Sequence, residues 1–73
     1  MITVYTKDNC VQCKMTKQLM NQLGIKYMEI NIENNNKIRE RLIGLGMKST
    51  PVVYTGSEYF SGFQPDEIRR LKD

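Results

Sequence analysis

The sequence contains no histidine and only two cysteines among its 73 residues. The missing histidine removes the imidazole that most often serves as general base or metal ligand. The two cysteines, Cys10 and Cys13, are too few to staple a small secreted domain. A bridge between them closes a tiny loop and removes little entropy from the unfolded chain. Stability must therefore come from an apolar core, and 40% hydrophobic residues make one feasible. Long apolar runs are also lacking, so nothing approaches a membrane-spanning length. The start, Met1-Ile2-Thr3-Val4-Tyr5-Thr6-Lys7, is too short an apolar stretch for a secretory signal. Cytoplasm is the expected compartment. There are no internal repeats, linkers or low-complexity segments, and the expectation is a single domain over 1–73. A basic block and an aromatic stacking platform are absent, which argues against nucleic acid as partner. The net charge of +3 comes from scattered residues, among them Lys14, Lys17, Lys37, Arg39, Arg41, Lys48, Arg69 and Arg70. Such a balance suits an acidic protein partner better.

What is present alternates between two periods. Residues 2–6 are β-branched or aromatic and predict a strand. Asp8 or Asn9 is the expected N-cap of a helix over Val11–Leu23, where Val11, Met15, Leu19, Met20 and Leu23 recur at helical spacing. Gly24 ends it. Residues 25–32 alternate apolar and polar, a second strand. Asn34–Asn36 predict a turn, and Ile38, Leu42, Ile43 and Leu45 a second helix stopped by Gly44 or Gly46. Thr50–Tyr54 predict a third strand, Thr55-Gly56-Ser57 a hairpin and Glu58–Phe60 a fourth strand. Pro65 opens a last helix with Asp66 and Glu67 in its first turn and Ile68 and Leu71 facing inward. The expected class is α/β, in the order βαβαββα, with a four-stranded mixed sheet and helices on both faces.

The two cysteines form the motif Cys10-Val11-Gln12-Cys13 at a strand-to-helix junction. Free backbone N–H groups and the helix dipole stabilise a thiolate at Cys10, and Lys7 and Lys14 add positive potential. Thiols in such places have pKa values of about 3.5–7.5, against about 8.5 when free. Cys13, one turn further in, is expected to be more buried, less acidic and on the same side. Cys10 is thus the expected nucleophile and Cys13 the resolving thiol. Zinc would need further ligands from carboxylates or a second chain, so no metal is expected. A CxxC pair opening a helix within a βαβ pattern points instead to redox chemistry.

Two further segments belong to the expected site. Thr50-Pro51 falls beside the thiols in the predicted fold, and its residues leave the peptide bond open between cis and trans. A cis bond there would keep metal from the sulfurs and present the Thr50 backbone to an incoming peptide. The segment Phe60-Ser61-Gly62-Phe63-Gln64-Pro65 needs Gly62 for a positive φ and Phe63 for the core. It also offers an apolar loop that would dock partners together with Val11 and Gln12. Glu33, Glu58 and Asp66 are expected to be solvated groups or caps.

Cys-Val-Gln-Cys at 10–13, Thr50-Pro51-Val52-Val53 and Ser61-Gly62-Phe63-Gln64-Pro65-Asp66 together resemble the NrdH-redoxin family of the thioredoxin fold, over essentially the whole chain. Phe60 stands where the family pattern Trp-Ser-Gly-Phe-Arg-Pro has tryptophan, and Gln64 where it has arginine. The hydrogen-bond network attributed to that arginine is therefore not carried over. The resemblance implies a cis Thr50–Pro51 bond and a dithiol–disulfide oxidoreductase with no cofactor beyond its own Cys10–Cys13 disulfide. It implies reduction by thioredoxin reductase, which holds the NADPH, and electron donation to the large subunit of class Ib ribonucleotide reductase. The alternative is a glutathione-dependent glutaredoxin. Lys7 matches a glutathione contact of that family, and Thr50-Pro51 is compatible with it. The usual Cys-Pro-Tyr-Cys and the Gly-Gly…Asp segment are missing. Nothing in the sequence demands more than a monomer.

Overall fold

The structure is a computed structural model that describes residues 1–72. Its elements are β1 (Ile2–Thr6), α1 (Val11–Leu23), β2 (Tyr27–Asn31), α2 (Asn36–Gly44), β3 (Val52–Tyr54), β4 (Tyr59–Ser61) and α3 (Pro65–Arg70). The sheet order is β2-β1-β3-β4. β1 and β2 run parallel, joined through α1, while β3 and β4 add antiparallel strands. This is the thioredoxin fold.

The period of two in the strands divides the core. Val4 and Val53 pair across β1 and β3 and pack with Met20 of α1 and Ile68 of α3. Their neighbours in sequence point the other way: Val52 packs with Ile32 and with Leu42 of α2, and Tyr5 lies against that cluster. Helices thus cover both faces, α1 and α3 on one and α2 on the other. Each fully buried aliphatic side chain contributes about 1.5–3 kcal/mol of transfer free energy.

Several boundaries differ from those the sequence predicts. The N-cap of α1 is Cys10 itself, in extended backbone, and neither Asp8 nor Asn9. Asn9 sits in the left-handed region at φ 55°, and the Asp8 N–H is taken by Glu33 Oε1 at 3.1 Å. Val11 and Met15 are exposed, and the buried side of α1 is formed by Cys13, Thr16 and Met20. Thr16 is accommodated there because its hydroxyl donates to Gln12 O at 2.8 Å. β2 starts at Tyr27 because residues 24 and 25 are still occupied with leaving α1. Gly24 takes φ 73°, and Ile25 N donates to Met20 O at 2.9 Å. Asn36 is the first residue of α2, since Asn35 caps that helix by accepting from Ile38 N at 3.1 Å. Glu58 belongs to the hairpin turn, where it exchanges backbone and side-chain bonds with Thr55, so β4 begins one residue later.

Candidate active site at the thiol pair

β1 ends and α1 begins at one edge of the parallel pair, so the intervening loop, residues 7–10, stands above the carboxyl end of the central strand. The loop is tied down from the side. Asn31 Nδ2 donates to Asp8 Oδ1 at 3.0 Å, and Asn31 Oδ1 accepts from Glu33 N at 2.9 Å. Together with the Asp8–Glu33 bond, these contacts hold the loop against the exit of β2.

Cys10 and Cys13 are joined in a disulfide, with Cα atoms 5.2 Å apart. Cys10 is half-buried, whereas Cys13 is 2% exposed. Their depths therefore differ as the one-turn spacing predicts. The Cys13 backbone N–H donates to Cys10 Sγ at 3.1 Å. Thr50 Oγ1 lies 3.6 Å from the same sulfur. A disulfide sulfur carries no hydrogen, so the hydroxyl is the donor. Both groups would stabilise negative charge on Sγ once the bond is reduced. The Cys10 sulfur thus faces two donors and the positive end of α1.

The Thr50–Pro51 peptide is cis, and Pro51 is buried at the head of β3. Pro51 O in turn accepts from Gly62 N at 2.8 Å. The segment after β4 is fixed from the other side by Gln12, whose Oε1 accepts from Phe63 N at 3.2 Å. Gly62 has φ 83°, and a Cβ at that position would lie 3.6 Å from the same oxygen. Gln12 and Gly62 thus sit back to back, and the middle of the CxxC motif grips the loop across 51 residues of sequence. Gln64, at the family's arginine position, donates from Nε2 to Ser61 O at 2.7 Å and closes the loop locally. Phe60 and Phe63 are half-buried and pack against the Val4–Met20–Val53–Ile68 cluster. Val11, by contrast, is 72% exposed next to Cys10.

Two hollows lie near the thiol pair. One, of about 240 Å³, lies between Lys7, α2 and Thr50, and includes Glu33, Arg39 and Lys48. Its Arg39 is already engaged by Ile32 O and Glu33 O at 3.2 and 3.0 Å. The other, of about 490 Å³, runs along α1 and is lined by Lys7, Lys14, Lys17 and both cysteines. Lys17 is a site residue that the sequence reading passed over; its place four residues after Cys13 on one helix would have revealed it. Its Nζ pairs with Glu29 Oε2 at 3.0 Å, and the same oxygen accepts from the buried Thr6 hydroxyl at 2.8 Å. Partial burial raises the Glu29 pKa, but the bonds from Lys17 and Thr6 outweigh it and leave the carboxyl below its ordinary value of 4.5.

Residues 2–60 match the family model described as Glutaredoxin. The "Glutaredoxin-like protein NrdH" of Lactococcus lactis subsp. cremoris is 41% identical over 71 residues, covering 97% of this chain and 99% of that protein. The Escherichia coli K12 protein of the same description is 41% identical over 70 residues, or 96% and 86% of the two chains. The chain belongs to the NrdH-redoxins of the glutaredoxin family. The solved NrdH-redoxin from Escherichia coli, described as having a thioredoxin-like activity profile, superposes with a TM-score of 0.93 at 40% identity, over 99% of this chain and 95% of that one. A glutaredoxin from Archaeoglobus fulgidus superposes at 0.83 with 25% identity, over 96% and 83%. As an NrdH-redoxin, the chain is a glutaredoxin-like redox protein, and its CxxC pair carries the redox-active disulfide. Among its described residues no helix is long and apolar enough to cross a membrane.

Proposed function

We propose that this NrdH-redoxin is a cytoplasmic, monomeric electron carrier that is reduced by thioredoxin reductase and NADPH and in turn reduces class Ib ribonucleotide reductase. It binds no nicotinamide, flavin or metal. The observation that carries this reading is the 41% identity to NrdH over 97% of the chain. The site geometry is consistent with it. In the reduced protein the Cys10 thiolate attacks one sulfur of the acceptor disulfide, forming a mixed disulfide and releasing one acceptor thiolate. Cys13, having lost its proton, then attacks Cys10 Sγ. The Cys10–Cys13 disulfide forms, the second acceptor thiolate leaves, and two electrons have passed to the acceptor. The two protons shed by the donor thiols balance those that the acceptor thiolates take up. Thr50 and the loop 60–63, with Val11 and Gln12, form the surface against which the acceptor lies, and the buried Pro51 supports Thr50 from behind.

One observation favours a second reading, a glutathione-dependent glutaredoxin: the hollow that holds Lys7, Arg39 and Lys48 is bounded by Thr50, whose hydroxyl contacts Cys10. The two readings separate in one assay. Thioredoxin reductase with NADPH is expected to reduce the oxidised protein rapidly, and millimolar glutathione only slowly, as followed by NADPH oxidation and thiol titration. Rapid reduction by glutathione, with no turnover by the reductase, would transfer the chain to the second reading. Transfer of electrons to the ribonucleotide reductase large subunit is then checked by single-turnover reduction of its disulfide.

A further inference from the structure

We propose that the groove along α1 selects disulfide partners that carry acidic residues beside the reacting cysteine. The proposal rests on the dithiol reading above and names the substrate class of the same site.

The groove of about 490 Å³ is lined by both cysteines and three lysines, with no carboxylate among the residues lining it. The three ammonium groups are not equivalent. Lys17 is neutralised by Glu29 at 3.0 Å. Lys7 and Lys14 are exposed, and neither is in an ion pair among the described residues. Near Lys7, Asp8 and Glu33 carry negative charge, although both are engaged in fixing the loop. Lys14, on the first turns of α1, is in no ion pair among the described residues and leaves a free positive charge in the groove. The positive end of α1 acts in the same direction.

A partner joined through Cys10 has little freedom to avoid this field. Two residues on either side of its cysteine reach only about 7 Å along an extended chain. That is within the screening length of about 8 Å at physiological salt. Acidic flanks are therefore attracted in the encounter and in the mixed disulfide, and basic flanks are repelled in both.

The test uses three oxidised two-cysteine peptides that differ only in flanking Glu, Gln or Lys residues. The full-length protein reduces them while a small dithiol recycles it. At low ionic strength the Glu-flanked peptide is expected to react about three- to tenfold faster than the Lys-flanked one, with Gln between. The ratio should approach one near 1 M salt. Lys14→Glu should abolish or invert the ratio. Glu29→Gln, which frees Lys17, should widen it by about twofold. Because each ratio is taken within one variant, any change in overall thiol reactivity cancels. Equal rates for all three peptides in the parent protein would overturn the proposal and leave the dithiol reading intact. A preference untouched by salt and by Lys14→Glu would also overturn it. Failure to reduce any peptide would bring down the dithiol reading itself, and the proposal with it.

Discussion

Cys10 has two roles in the proposed function: its sulfur caps α1 through the Cys13 N–H, and the same sulfur is the proposed attacking group. A serine at position 10 would keep the cap, since its hydroxyl accepts the same bond. Cys10→Ser is therefore expected to fold normally and to reduce no disulfide. Cys13→Ser should retain the attack and lose the resolution, so that the acceptor stays bound to Cys10, which mass spectrometry of the trapped adduct would show. An adduct formed through Cys13 in the Cys10→Ser protein would reverse the two roles. The sequence made this depth difference legible because one helical turn separates an entry position from a buried one. It did not reveal the cap, because Asp8 and Asn9 are much stronger capping types than cysteine and stand immediately before it. Thr6 and Thr16 were hidden for a related reason. Both are polar, and both are buried only because a specific acceptor, Glu29 Oε2 or Gln12 O, satisfies the hydroxyl.

The elements around the thiols differ in how they are held. β3 is anchored by pairing on both sides, while the segment after β4 depends on a few bonds: Gly62 N to Pro51 O, Phe63 N to Gln12 Oε1 and Gln64 Nε2 to Ser61 O. Gly62→Ala places a side chain at φ 83°. The nearest atom, at 3.6 Å, is ordinary contact, so the cost is backbone strain of about 1–2 kcal/mol. Urea denaturation of the oxidised protein should show a lower midpoint with an unchanged slope. A drop in thioredoxin reductase coupling larger than that in reaction with a small dithiol would mark the loop as a docking element. The sequence showed the need for glycine here and the inward packing of Phe63. It did not show that Gln12 points at the loop, because a contact 51 residues away leaves no periodic trace. Strand ends differ from the sequence pattern at Ile25 and Glu58, where a turn uses these residues for its own hydrogen bonds.

On the scale of the whole molecule, the bond from Thr6 and the ion pair to Lys17 make Glu29 a junction between β1, β2 and α1. Its folded pKa lies below 4.5. The stabilisation it gives is thus fully present above that ordinary value and is lost as pH falls through the folded one. Thermal denaturation should show the parent protein and Glu29→Gln differing by a constant amount near neutral pH and converging below about pH 4.5. The partial exposure of the pair keeps the difference small. The topology was the most legible feature at this scale, since alternating periods and a single βαβ start leave few arrangements. The long-range tie between Gln12 and Phe63 also has a consequence for synthesis. Both cysteines are made within the first fifth of the chain, but the partner of Gln12 and the strand that positions Thr50 come much later. A nascent chain that has grown only to the end of α2 carries the thiols without the wall that shapes their use. The finished site therefore exists only after the last quarter of the chain has docked.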